Sequence, residues 1–473
     1  MNVFALAQRN LRRNRRRSLT TLVAVALGSV SVLMFGGYRA SINYAMQTVY
    51  VRAGGHLQVQ HRDFFLFGSG KPTGYAIANH DRIVESMRAD PVLRELGAIV
   101  TPTLQFGGIA GNYAAGVSRT VIGIGLVAPD QTKMRQWDPY DVGFSAPPLK
   151  LDGAALNSAV IGTGLARVLQ LCGPLGIPDC PKPSVEATAS GADLPSDVAA
   201  LAADTAASKP GTAPDGRSDA PRSTDRTVEL LSSSARGTPN VATLEVIGAE
   251  SQGYKELDEV YLLVQLQQAQ RLVYGSSPPK VTSIHVQLRE TAQVNKAKEQ
   301  VSSRLPTWSD GQPLVVQDFE SLNPFYVQSV RLFDTIFGFM FILIGGIVMF
   351  TVSNTMNAAV VERTVEVGTL RAVGLRQLGI RKLFIAEGVL IGVAGAVAGA
   401  LLALLGAYAV NRAGFTWTPP GAAAPVPLTL AVWGETAMII GTTVGLALIT
   451  IVSAWWPAYR AARLNVVDAL RHV

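Results

Sequence analysis

Histidine and cysteine are scarce in this chain, five and two residues among 473. The histidines, His56, His61, His80, His285 and His472, are scattered, and none lies close in sequence to Cys172 or Cys180. Metal-ligand spacing is therefore missing, because a zinc site gathers several such groups at short intervals. A Walker A loop is missing as well. Its nearest approach, Gly68-Ser69-Gly70-Lys71-Pro72, lacks the upstream glycine and the hydroxyl residue after lysine. There is no H-E-x-x-H and no G-x-S-x-G elbow. Catalytic, cofactor-binding and metal-ligating residues are accordingly expected to be none, and the chain is not expected to be an enzyme. Charge is sparse too: 16% of residues carry one, against 48% hydrophobic, with a mean hydropathy of +0.25. That is too apolar for an ordinary soluble chain and too polar for a stack of spans. A few spans plus a sizeable soluble domain fit.

The net charge of +7 is unevenly spread. Arg9, Arg12, Arg13, Arg15, Arg16 and Arg17 directly precede an apolar stretch, where they read as orientation signals and not as a nucleic-acid patch. Four apolar stretches reach the roughly 20 residues a bilayer core requires: 19–38, 336–356, 383–410 and 436–459. Arg363, Arg371, Arg376, Arg381 and Lys382 fall between the second and third; Arg460, Arg463 and Arg471 follow the fourth. By the positive-inside rule, 1–18, 357–382 and 460–473 are cytoplasmic, and 39–335 and 411–435 lie outside. Trp433, Trp455 and Trp456 flank the fourth stretch, as interfacial rings do. A basic start before an apolar run also fits a cleaved signal peptide. The run is longer than a usual signal core and ends in no small-x-small site, so a retained span is expected.

Residues 39–335 read as a mixed α+β domain. Strand patterns occur at His56–Gln60, Thr120–Gly125, Val241–Ile247, Val260–Val264, Val281–Leu288 and Leu314–Val316. Helical periodicity occurs at Asp81–Leu96, Ser158–Leu171, Leu263–Tyr274 and Thr291–Leu305. Residues 181–226 contain no aromatic residue and are rich in Ala, Ser, Asp, Pro and Thr, a composition that favours disorder. Cys172 and Cys180 flank a turn-rich heptapeptide on the side assigned as outside, which favours a local disulfide. His56 and His61 are expected at the surface, on opposite faces of a strand. Apolar stripes at Arg39–Val51 and Asp318–Asp334 predict helices that continue the first two spans outward and pair as a stalk, or else ordinary domain helices.

Small residues let membrane helices approach closely, and Gly388, Gly392, Gly395, Gly399, Gly441 and Gly445 recur at helical spacing in the third and fourth stretches. Glu387 is the lone acid of the third stretch. It is expected either to reach the headgroups or to pair with a nearby arginine; a proton relay would need further intramembrane acids.

The run Val361-Glu362-Arg363-Thr364-Val365-Glu366-Val367-Gly368-Thr369-Leu370-Arg371-Ala372-Val373-Gly374 resembles the coupling segment of the FtsX-like permease family. Ile385-Ala386-Glu387-Gly388 and Pro457-Ala458-Tyr459-Arg460-Ala461-Ala462-Arg463 through Asp468–Arg471 are similar to the family's later motifs, and Arg9–Asn14 to its N-terminal helix. Val160–Ala166 resembles a strand-to-helix piece of the MacB-type core domain, and Gly55–Gln60 leans toward the lipoprotein-releasing, LolC/LolE-like branch. The resemblance covers nearly the whole chain except about 172–226, an insertion that departs from the family pattern and puts transfer of a substrate in doubt.

The resemblance implies a membrane subunit that pairs with a second permease subunit and with a separate ABC-type ATPase, which binds the ATP and magnesium. Membrane lipid and a periplasmic carrier or adaptor are further implied partners; nucleic acid is not. Val361, Val365 and Leu370 would meet apolar surface of the ATPase, Glu362, Arg363, Glu366 and Arg371 its polar groups, with close approach at Gly368 and a stop at Gly374. The outer domain would then do work such as lipoprotein or lipid release, or export of a hydrophobic compound or peptide. Two other classes compete: a regulator activating a cell-wall hydrolase through its outer domain, and a tethered module without an ATPase.

Overall fold

The computed structural model describes residues 3–68, 70–143, 147–177, 226–418 and 425–463. Among the described residues, four helices are long and apolar enough to cross a membrane: Arg15–Gly54, Pro324–Glu362, Gln377–Ala413 and Thr436–Ala462. Each except the last clearly overruns the apolar stretch that marks it in the sequence. A helix satisfies its own backbone hydrogen bonds, so it continues past the hydrocarbon-like residues as long as one face finds a partner. The first helix thus keeps going through Arg39 to Gly54, and the second starts at Pro324, where proline suits the first turn. Their extensions pack together as a stalk: the Tyr326 hydroxyl donates to Asn43 Oδ1 at 2.7 Å, Tyr50 meets Tyr326 edge-on, and Arg39 pairs with Asp334.

The domain between the first two long helices holds a nine-stranded mixed sheet. Its strands are β1 (Leu57–His61), β2 (Ile99–Asn112), β3 (Val117–Leu126), β4 (Ser158–Gly162), β5 (Thr227–Ser233), β6 (Pro239–Glu250), β7 (Tyr261–Gln265), β8 (Ser283–Gln287) and β9 (Leu314–Asp318). Strand β2 pairs with β8 through Ile99–Thr103, with β5 through Gly108–Gly111 and with β3 through Thr103–Asn112. The pairings β3–β7, β7–β4, β4–β6, β6–β5, β5–β2 and β2–β3 therefore close a ring, and β8, β1 and β9 extend from its side. Leu104, Phe106, Ile161, Leu230, Val246, Val264 and Val286 fill one continuous core. A Cβ at Gly123 would stand 2.2 Å from the Phe106 ring, so the glycine makes room for a fully buried phenylalanine.

Several expected elements differ. Ser158–Leu171 is not one helix: Ser158–Gly162 is a strand buried on both faces, followed by a short helix, Thr163–Val168. The buried Asp258 carboxylate holds this junction, accepting from the backbone N–H of Thr163 (3.1 Å), Gly164 (2.7 Å) and Gln252 (3.0 Å). Asp81–Leu96 is two helices, His80–Ala89 and Pro91–Glu95, because Pro91 cannot continue the first and Asp90 caps the second. Leu263–Tyr274 begins as β7, and only Leu266–Tyr274 is helical. His56 is fully buried, stacked edge-on against Trp137 and Phe319, and is not a surface residue. The expected disorder at 181–226 lies, except for Arg226, outside the described residues, as do Cys180 of the expected disulfide and the Asp468–Arg471 motif.

The first long helix is bolted to the soluble domain at its far end. Gln47 Nε2 donates to Thr291 Oγ1 at 2.7 Å, and Arg52 Nε to the Trp137 carbonyl at 2.7 Å. Gln287 Nε2 donates to the carbonyls of Val51 (3.1 Å) and Met134 (3.0 Å). Arg52 also pairs with Asp138 at 3.3 Å.

Candidate functional site

The third long helix packs on the first and the fourth, and its glycines set how close these neighbours come. A Cβ at Gly388 would stand 2.6 Å from Ala454 Cβ, and one at Gly392 2.7 Å from Thr450 Cβ, both on the fourth long helix. On another face, a Cβ at Gly395 would stand 2.8 Å from Val25 Cβ, and one at Gly399 2.4 Å from the Ala26 carbonyl oxygen. Ser29 Oγ uses that proximity to donate to the Ala396 carbonyl at 3.1 Å. A Cβ at Gly445 would stand 2.9 Å from the Phe341 ring. Gly441 differs from the expectation: among the described residues, nothing stands within 4 Å of where its Cβ would be.

At the end of the bundle away from the soluble domain, the second long helix stops at Glu362 and a short helix, Thr364–Ala372, follows after a break at Arg363. Gly374 ends the turn with φ +104°, a conformation glycine adopts without Cβ strain, while Leu375 N–H donates back to the Leu370 carbonyl at 3.0 Å. The short helix has two unlike faces. Val367 and Leu370 pack on Val360, Ile380, Phe384, Ala458 and Ala461. Leu370 is thus turned toward its own chain, not outward as expected. Gly368 is buried with them. Val361 is 70% exposed and Val365 46%, and Val373 and Leu378 beyond the helix are exposed as well.

Arg363 corrects the sequence reading most. Expected on the outward polar face, it points inward, and its Nη1 donates to Glu387 Oε1 at 2.9 Å. Both side chains are less than a tenth exposed. Asn10, on the N-terminal helix Val3–Arg13, donates its Nδ2 to the same Oε1 at 2.8 Å, and the Asn10 carbonyl accepts from Arg363 Nη2 at 3.3 Å. Three segments distant in sequence are thus tied at one carboxylate. The desolvated ion pair persists because the carboxylate receives two donors and the guanidinium has two acceptors. Of the two expectations for Glu387, pairing with an arginine is the one observed. Asn10 was missed as a partner, since nothing local to residue 10 signals a contact with residue 387.

Around this buried knot the acids of the short segment are paired within the chain: Glu366 with Arg13, and Glu362 with Arg17. Arg13 and Arg17 therefore brace this segment from the side. The pairs are solvent-exposed and contribute at most about 1 kcal/mol each. Among the described residues, no group of three His, Cys, Asp or Glu side chains is placed to hold a metal ion.

Residues 335–466 match the FtsX-like permease C-terminal family, and the chain carries an FtsX-like permease domain there. The resemblance read from Val361–Gly374 is met. The chain is 27% identical over 147 residues to the lipoprotein-releasing system transmembrane protein LolC of Haemophilus influenzae, covering 31% of this chain and 36% of that one. It is 23% identical over 238 residues to an uncharacterised ABC transporter permease of Methanocaldococcus jannaschii, 48% of this chain and 54% of that one. It is 30% identical over 200 residues to the macrolide export ATP-binding/permease protein MacB of Escherichia coli, 40% of this chain and 27% of that one. The matches thus span between about a quarter and about a half of these relatives' length. They support a membrane permease with a soluble domain.

Proposed function

We propose that this chain is the permease subunit of an ABC transporter. A separate ATPase binds ATP and magnesium and drives it through the Val361–Gly374 segment. The observation that carries this reading is the two-faced segment formed by the end of the second long helix and the short helix after it. An apolar surface at Val361 and Val365 stays exposed while the opposite face is clamped to the bundle by Val367 and by Arg363–Glu387. A small apolar patch rimmed by Glu362 and Glu366, on a rigid mount, suits docking into a groove of a partner. In the proposed topology this end is cytoplasmic of the inner membrane, and the sheet domain is periplasmic. Two permease copies, or this chain and a related one, pair with two ATPase copies. The work is done on the periplasmic side, on a lipoprotein, a lipid or another hydrophobic compound or peptide, with a periplasmic carrier or adaptor as acceptor. Reporter fusions at Asn14 and Arg371 are expected to read cytoplasmic and one at Gly216 periplasmic.

The test is co-purification with a co-expressed ABC-type ATPase, together with ATP hydrolysis by the complex. Val361→Asp and Val365→Asp put unpaired charge on the docking face and should abolish both readouts while leaving the thermal midpoint of the permease unchanged. Glu366→Lys reverses a charge at the rim and should weaken association about tenfold or less. Full partner binding and stimulated hydrolysis by both valine variants would overturn the docking assignment.

A further inference from the structure

On the last long helix, Ile440, Val444, Leu448 and Val452 are exposed and recur every four residues, a row that turns about 40° around the helix at each step. Trp456 takes the next step of that row, more than half exposed like its neighbour Trp455. Arg460 takes the step after, and its guanidinium carbon lies 6.0 Å from the Trp456 ring centroid. The row therefore passes from aliphatic to aromatic to cationic as it winds around the helix.

Two more guanidinium groups converge at its end. Arg463, one turn on, and Arg381, from the start of the third long helix, each lie 4.4 Å from the centroid of the Tyr459 ring. Among the described residues, none of the three arginines pairs with a carboxylate. Arg381 Nε is shielded from solvent and makes no hydrogen bond. A guanidinium lying over a ring keeps its planar N–H edge for an oxyanion, and that edge matches two phosphate oxygens. Arg381 and Arg463, held over one ring, repel each other, and an anion between them removes that cost.

We infer that Arg381, Arg460 and Arg463 bind the phosphate of an anionic phospholipid whose acyl chains lie against Leu448, Val452 and Trp456. Free phosphate satisfies the arginines alone. The lipid also accounts for the exposed aliphatic and tryptophan steps that lead up to them, because tryptophan and arginine at a span's end sit at headgroup depth. Each arginine close to an anionic bilayer surface favours an anionic over a zwitterionic lipid by about fivefold. The inference rests on the four helices being spans and is independent of ATPase docking.

The full chain is reconstituted in phosphatidylcholine vesicles carrying equal fractions of either brominated phosphatidylglycerol or brominated phosphatidylcholine, and tryptophan quenching is measured. The signal of Trp455 and Trp456 is the difference between the native chain and W455F/W456F. Quenching by the anionic lipid should exceed quenching by the zwitterionic one by about fivefold or more in apparent affinity. R381Q/R460Q/R463Q should bring the ratio to about one. R460Q, whose side chain is exposed and does not touch Tyr459, should lower it partway and guards against a folding defect in the triple variant. Inorganic phosphate at tens of millimolar should leave the ratio unchanged. Loss of selectivity on adding phosphate would reassign the cluster to the free anion. Equal quenching by both lipids in the native chain would overturn the site, and if the two tryptophans are unquenchable altogether, a protein surface covers this face.

Discussion

Removing one partner of the Arg363–Glu387 pair leaves the other charge in a place without water. The two groups lie 2.9 Å apart with less than a tenth of either exposed, and Asn10 and its backbone add one hydrogen bond to each, while among the described residues Arg363 Nε has no partner. Breaking a buried pair from one side costs about 3–5 kcal/mol, whereas replacing both charges by apolar groups of similar volume is close to neutral. Glu387→Gln keeps the shape and strands the guanidinium; Arg363→Met keeps the stem and strands the carboxylate. Each should destabilise the helical bundle by about 3–5 kcal/mol, and the double variant Arg363→Met/Glu387→Met should recover at least half of the summed loss. Asn10→Ala removes a single hydrogen bond to a charged group and should cost about 1.5–3 kcal/mol. The assay is a double-mutant cycle on denaturant unfolding of the full chain in lipid nanodiscs, with ATPase co-purification read in parallel. Additive effects of the two single changes, or single changes costing under about 1 kcal/mol, would refute a desolvated, mutually dependent pair. Loss of ATPase binding by Arg363→Met with unchanged stability would return Arg363 to the docking face.

Other expectations follow from separate features. Gly399→Val should disrupt the bundle, because even a Cβ there would stand 2.4 Å from the Ala26 carbonyl oxygen, while Gly441→Ala, with open space around it, should be silent in the same thermal melt. Burial holds the His56 and His285 rings at a pKa of about 4, against about 6.5 in an unfolded chain. The unfolded state therefore binds more protons between those values. Stability is full above about pH 6.5 and falls as pH drops toward 4, by about 2 kcal/mol per histidine between pH 7 and pH 5. A soluble-domain unfolding midpoint that does not move between pH 7 and pH 5 contradicts this. Cys172 and Cys180 should resist thiol labelling under denaturing, non-reducing conditions, with the short loop they close gaining roughly 2–3 kcal/mol; two labelled thiols contradict the bridge.

The long helices were legible because runs of apolar residues state their own length. Their true ends were less so, because Arg39–Gly54 is amphipathic and its apolar stripe fits a separate helix as well as a continuation. Strand β4 read as helix because both its faces are buried, and five apolar or small residues in a row carry no period of two. Strand β2 escaped notice because Pro102, Gly107, Gly108 and Gly111 look like loop residues. Gly108 instead serves pairing: a Cβ there would stand 2.8 Å from the Leu231 carbonyl oxygen of the neighbouring strand. The short helix at Thr364–Ala372 was legible from Val361–Gly374 and its terminal glycine. Its inner face was not, since what Arg363 and Leu370 touch is decided by spans far away in sequence.

The unbroken helix from Arg15 to Gly54 has a mechanical consequence. Forty residues make a rod about 60 Å long, twice the hydrocarbon thickness of a bilayer. One end is flanked by the Asn10–Glu387–Arg363 knot and the other is pinned to Trp137, Gln287 and Thr291. A tilt of about 5° at the inner end would swing the outer end by about 5 Å, the rise of one helical turn. The rod therefore acts as a lever arm of fixed length: an angle too small to open a gap between the membrane helices still displaces the whole sheet domain by more than the spacing between two strands, about 4.8 Å.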